Sequence, residues 1–169
     1  MRPRDHVILG TAASAALYSL SDYIAIQNLI YFWLATILID IDHYLDYIYN
    51  NKFTDYSFKR MMRYHGLLYN RRFDPAFINL SIFHSVESMG ALGAVTLYTG
   101  STALLYIWWG FLFHIALDTI KLVYDGKPSI RSNTAVGYIL RVKRLNKQGL
   151  DTKGLYTRAA NEVRGNCGS

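Results

Sequence analysis

The stretch ATILIDIDHYLDY (residues 35–47) places Asp40, Asp42, His43 and Asp46 directly behind an apolar run that starts at Tyr23. Carboxylates and imidazoles together form the donor set of an N/O-type divalent metal site, which suits zinc first, with manganese or iron as alternatives. The pairing recurs along the chain. Asp40 and His43 are three residues apart, as are His84 and Glu87, and His114 and Asp118 are four apart, so on a helix each pair shares a face. His6 opens the first apolar segment. Inward-facing His and carboxylate pairs on neighbouring helices are how helical bundles hold metals. Asp42 lies about 200° of helical rotation from Asp40, so both can face one centre only if the helix ends there. Asp40 is therefore the expected ligand, and Asp42 a second ligand, a base or an outer hydrogen-bonding partner. Any one such residue could simply be a core polar group satisfied by a neighbour. Carboxylates and histidines in apolar helices are costly, however, and tend to pair or serve function. A set drawn from four segments favours one metal centre. The sole cysteine, Cys167, excludes an internal disulfide and a cysteine-based zinc site.

Four apolar segments must position these groups: 7–20, 23–41, 77–98 and 102–124. The second and fourth are long enough to cross a hydrocarbon layer of about 30 Å, and Gly90 and Gly93 in the third suit close helix contact. The chain is 51% hydrophobic and 18% charged, below the roughly 25% charged of soluble domains. No cleavable leader is expected, because Asp5 and His6 precede the first segment and no small-residue cleavage site follows it. The turns around Asp22 and Gly100 carry no Lys or Arg. The middle loop holds Lys52, Lys59, Arg60, Arg63, Arg71 and Arg72, Arg2 and Arg4 precede the first segment, and nine basic residues follow Asp125. The positive-inside rule then sets both termini and the middle loop in the cytoplasm. The expectation is an all-α protein, an integral four-helix membrane bundle of a prokaryotic inner membrane. A membrane-embedded domain spans 1–124, with a cytoplasmic helical loop at about 46–76, and a basic cytoplasmic tail spans 125–169. The topology accounts for the net charge of +6 without nucleic acid. Within the tail, NTAVGYILRVKRLNKQ reads as a basic helix with Val136, Ile139 and Leu140 on one side, and RGNCGS reads as disordered.

In this layout His6, Asp40, Asp42, His43, His84, Glu87, His114 and Asp118 all fall at the cytoplasmic level. The outer halves of the segments contain almost no such groups, which argues against ion transport.

The motifs DHVILG, DIDH, IFHSVE and HIALD, in this order over residues 5–119, resemble the YdjM-like membrane-bound metal-dependent hydrolases. That family's pattern is a helix-start His, a Pro-Asp-x-Asp-His, a Thr-His-Ser and a late His-x-x-x-Asp. Ile39 stands at the proline and Phe83 at the threonine, and the family's His-Arg-Gly is missing before it. The resemblance implies a divalent-metal hydrolase in the cytoplasmic membrane, likened to zinc-dependent phospholipase C. It carries over His6, Asp40, Asp42, His43, His84, His114 and Asp118.

The expected activity is phosphoester hydrolysis of a phospholipid or polyprenyl-phosphate-type substrate at the cytoplasmic leaflet, by water activated on one or two metal ions. His6, Asp40, His43, His84, His114 and Asp118 are then metal ligands, and Asp42 and Glu87 catalytic groups. Arg63, His65, Arg71 and Arg72 are candidates for the substrate phosphate, since Arg binds phosphate bidentately. Their competing role is to fix topology and touch anionic headgroups. The alternative is a non-catalytic membrane protein with a structural metal and a tail that binds a partner or a membrane surface. Structural sites are closed, whereas catalytic ones keep an exchangeable position.

Overall fold

The computed structural model describes residues 3–21, 23–79, 81–126 and 132–165. Arg2, Asp22 and Cys167, with most of RGNCGS, lie outside them. Among the described residues the regular elements are helical and the fold is all-α. They are α1 (Pro3–Leu20), α2 (Ile26–Leu38), α3 (Ile41–Asn50), α4 (Phe58–Asn70), a 3-10 turn (Ile82–His84), α5 (Val86–Thr99), α6 (Thr102–Tyr124), α7 (Ala135–Lys147) and α8 (Thr152–Gly165).

Local chemistry sets the breaks. Ser57, Ser85, Ser101 and Thr134 cap α4, α5, α6 and α7, each side chain accepting from a backbone N–H three residues on. Gly100 ends α5 in the left-handed region (φ 62°), where a side chain is disfavoured. The chain divides into two compact units, Met1–Asp40 with Ile82–Pro128, and Ile41–Ser81 with Ser129–Ser169.

In the first unit α2 packs on α1 and α6, and α6 packs on α5. Two glycines permit the close approaches. A Cβ on Gly110 of α6 would sit 2.5 Å from the Phe32 carbonyl oxygen and 2.7 Å from the Ala35 Cβ of α2. A Cβ on Gly10 of α1 would collide with the Thr36 hydroxyl oxygen. Among the described residues nothing lies within 4 Å of a Cβ on Gly90, whereas Gly93 packs on Trp108. The Trp108 indole donates to the Met89 carbonyl (3.0 Å) and ties α6 to α5.

One helix among the described residues, α6, is long and apolar enough to cross a membrane by length and composition. The sequence reading expects continuous helices over 23–41 and 77–98, and the structure corrects both. α2 has 13 residues and α5 has 14, about 20 Å each at 1.5 Å per residue, short of a hydrocarbon core of about 30 Å. α2 stops in a turn at Ile39 and Asp40 before α3 starts. Ser85 restarts the chain as α5, after a 3-10 turn.

The second unit packs α8 on α4 and α3, and α7 on α8. Its core gathers Tyr47, Met61, Tyr64, Leu68, Leu155, Ala159 and Val163. The segment expected to be a basic tail thus supplies half of this unit's helices. The apolar positions 155, 156, 159, 160 and 163 follow a helical stripe. Tyr156 donates from its buried hydroxyl to the Ile78 carbonyl (2.6 Å).

Candidate metal centre

The first unit assembles the centre from four separated segments. His6 lies in the opening turns of α1, four residues before Gly10. Asp40 lies in the turn where α2 ends. His84 closes the 3-10 turn, and His114 and Asp118 sit one turn apart on α6, four and eight residues after Gly110. His6, His84, His114 and Asp118 are buried, His114 completely (0% exposed).

Each position has a local cause. The Ser85 hydroxyl donates to the Ile82 carbonyl (2.8 Å), as does that of Ser88 (2.7 Å), which pins the turn carrying His84. The glycine contact between α6 and α2 lets His114 Nδ1–H donate to the Thr36 carbonyl at 2.7 Å. That bond fixes the His114 tautomer and turns the Nε2 lone pair towards the carboxylates, the outer support typical of histidine ligands.

The donor atoms converge. His6 Nε2 is 3.3 Å from Asp118 Oδ1, while His114 Nε2 and His84 Nε2 are 3.7 and 4.0 Å from Asp118 Oδ2. His114 Nε2 and His84 Nε2 are also 3.3 and 3.6 Å from Asp40 Oδ1. The His6 and His114 rings stack at 3.7 Å and 12°, and those of His84 and His114 meet edge-on at 5.0 Å. Among the described residues of the first unit two three-donor groups result, His6–His114–Asp118 and Asp40–His84–His114, each with its donor atoms within 4.8 Å of one another and joined through His114.

These residues fit a divalent ion on two observations. Four donors at about 2.0–2.1 Å around a tetrahedral ion are about 3.3 Å apart, and the separations here are 3.3–4.0 Å. Among the described residues both nitrogens of His6 and Nε2 of His114 are buried without a hydrogen-bond partner, an arrangement that costs free energy unless a ligand satisfies it. Buried His and Asp groups that can hold a metal ion are thus present.

No family model, curated protein or solved structure matches the chain. The reading rests on the donor geometry.

The other sequence-derived candidates belong to neither of these two groups. Glu87 is exposed on α5; Ser85 caps the helix between it and His84, so the two share no helix face and no three-donor group includes Glu87. Asp42 and His43 follow Asp40 in the chain but sit in the first turn of α3, in the second unit, with His43 Nδ1 3.7 Å from the buried Asp42 Oδ1. Asp40 lies in the turn before α3, so no single helix carries both Asp40 and His43. Arg63 is exposed on α4. His65 Nε2 is 2.7 Å from the His43 carbonyl. Arg71 pairs with Glu162 at 2.5 Å, and Arg72 stacks over Tyr69 and Phe73. Sequence reasoning missed the Thr36 carbonyl and Gly110. A small residue one turn before a candidate ligand, as in GFLFH, is the signal for Gly110.

Proposed function

We propose that the chain is a membrane-embedded, metal-dependent hydrolase whose metal is held by His6, His84, His114, Asp118 and Asp40. The convergence of these donors from four segments, with orphaned imidazole nitrogens at its centre, carries the reading. Five donors exceed the four of a structural zinc, which favours an ion whose coordination can open. A bound divalent ion lowers the pKa of a coordinated water towards 7 and acts as a Lewis acid on a phosphoryl or carbonyl oxygen. Thr36 holds His114 in the ligating tautomer, and Asp118 presents one oxygen to His6 and the other to His84 and His114. The N/O donor set suits zinc, with manganese or iron as alternatives.

Membrane embedding is supported by the surface of the first unit. Only 17% of the apolar window of α6 is buried, the reverse of a soluble core helix. Ile8, Leu20, Ile26, Leu97, Trp109 and Ile120 are exposed as well, and an apolar surface of this extent marks a lipid or protein contact. The order of DHVILG, DIDH, IFHSVE and HIALD supports the likeness to YdjM-like hydrolases. On that likeness, and on the basic residues of the middle loop, the substrate is a phosphoester of a lipid or lipid-linked phosphate at the cytoplasmic leaflet.

The test is hydrolysis of phospholipids and polyprenyl phosphates by purified protein, with and without chelator. His114→Ala is expected to lose both metal and turnover. Stoichiometric metal with no hydrolysis of any substrate class would favour the alternative, a structural metal in a non-catalytic membrane protein.

A further inference from the structure

The second unit carries a surface that the metal centre does not use. On α7 the residues facing solvent are Val136 (63% exposed), Ile139 (51%) and Leu140 (63%), followed by Lys143, Arg144 and Lys147. At 100° per residue these six fall within one broad arc, while Leu145 and Tyr138 face inward on the opposite side. The arc is graded along the axis, apolar over the first two turns and cationic over the last two. No acidic residue occurs in the helix. The cationic half borders a shallow depression of about 650 Å³, lined by Leu140, Lys143, Arg144, Asn146 and Lys147. Helix polarity alone favours cations near a C-terminus, but it gives no reason for three large apolar side chains in water ahead of them.

We infer that this face of α7 is a docking surface for an anionic phospholipid bilayer. Val136, Ile139 and Leu140 enter the boundary between acyl chains and headgroups. Lys143, Arg144 and Lys147 take the phosphates, the longer stems reaching past the apolar side chains. Charge complementarity selects an anionic lipid surface. A nucleic acid would use the cations and leave the apolar half in water. A neutral protein groove would use the apolar half and leave the cations unmatched. The inference stands apart from the metal centre and adds a second, peripheral membrane contact to the embedded first unit.

The experiment uses the full chain carrying Cys167→Ser and Ile139→Cys, labelled at the single thiol with an environment-sensitive fluorophore. It is reconstituted into phosphatidylcholine vesicles with and without phosphatidylglycerol. Incorporation into the neutral vesicles reports on the embedded unit and is read separately from the label. The expected result is a blue shift that needs phosphatidylglycerol and reverses in high salt. Reversing Lys143, Arg144 and Lys147 to Glu should lower the equilibrium constant for surface docking more than a hundredfold, because each cation contributes about fivefold. Circular dichroism checks that this variant stays helical. A label equally aqueous in both vesicles overturns the inference. So does a shift independent of anionic lipid, a shift that grows with protein concentration in neutral detergent (a second copy), or one that appears only with added nucleic acid.

Discussion

Replacing Gly110 by alanine perturbs the centre without touching a ligand. The new Cβ would lie 2.5 Å from the Phe32 carbonyl oxygen and 2.7 Å from the Ala35 Cβ. Relaxed contacts need about 3.3 and 3.8 Å, so α6 must move from α2 by about 1 Å. His114 lies one turn further along α6, and its 2.7 Å bond to the Thr36 carbonyl would stretch beyond hydrogen-bonding range. Overpacking of this kind costs about 1–3 kcal/mol of stability, and losing the outer partner of a histidine ligand weakens metal binding about 10–100-fold. The assay is competition for zinc against a chromophoric chelator, with thermal melting in parallel. Gly90→Ala is the control, because open space surrounds that position, and it should leave metal affinity unchanged. Wild-type affinity in Gly110→Ala would refute the chain of reasoning from helix approach to ligand orientation.

Further outcomes follow from the same structure. Burial raises the Asp46 carboxyl from 3.8 to about 6, against the hydrogen bonds from Tyr64 and Asn50. The folded state then holds a proton that the unfolded state releases, so stability falls as pH rises from about 4 through 6, by about 3 kcal/mol in total. The difference in melting between metal-depleted wild type and Asp46→Asn should therefore change sharply across that window, and a flat difference would contradict the assignment. In Asp55, burial alone would raise the carboxyl, but hydrogen bonds from Tyr47, Arg60 and the Ser57 N–H hold it down to about 2. Its contribution is present above about pH 4 and is lost as pH falls towards 2, and acid titration of wild type against Asp55→Asn measures it. Tyr156→Phe leaves the Ile78 carbonyl without its buried donor and should destabilise the second unit by about 1–2 kcal/mol in denaturant melts.

Much of the centre is legible in the chain. His114 and Asp118 share a face of α6 as their spacing requires, and His6, Asp40 and His84 join them from the expected segments. What the sequence hides are backbone events. Apolar content runs through Ile39 and stays high over Phe77–Phe83, where Asn79 and Ser81 are the polar residues, so hydropathy draws long helices there, while a turn and a serine cap cut them short. The same turn that brings Asp40 to the centre starts a new helix at Ile41, and the cap at Ser85 sends Glu87 outward. α8 was masked by its charge: Lys153, Arg158 and Arg164 dominate a segment whose Leu155, Ala159 and Val163 form a buried stripe. The Thr36 carbonyl belongs to the backbone and carries no side-chain signature.

Metal analysis combined with X-ray absorption on protein purified without added metal tests the centre most directly. The account predicts a stoichiometric divalent ion in an N/O shell containing about three imidazoles, and loss of that signal in His114→Ala, since both donor groups share this ring. Protein that is folded and metal-free, and stays so after incubation with zinc, manganese and iron, would contradict it.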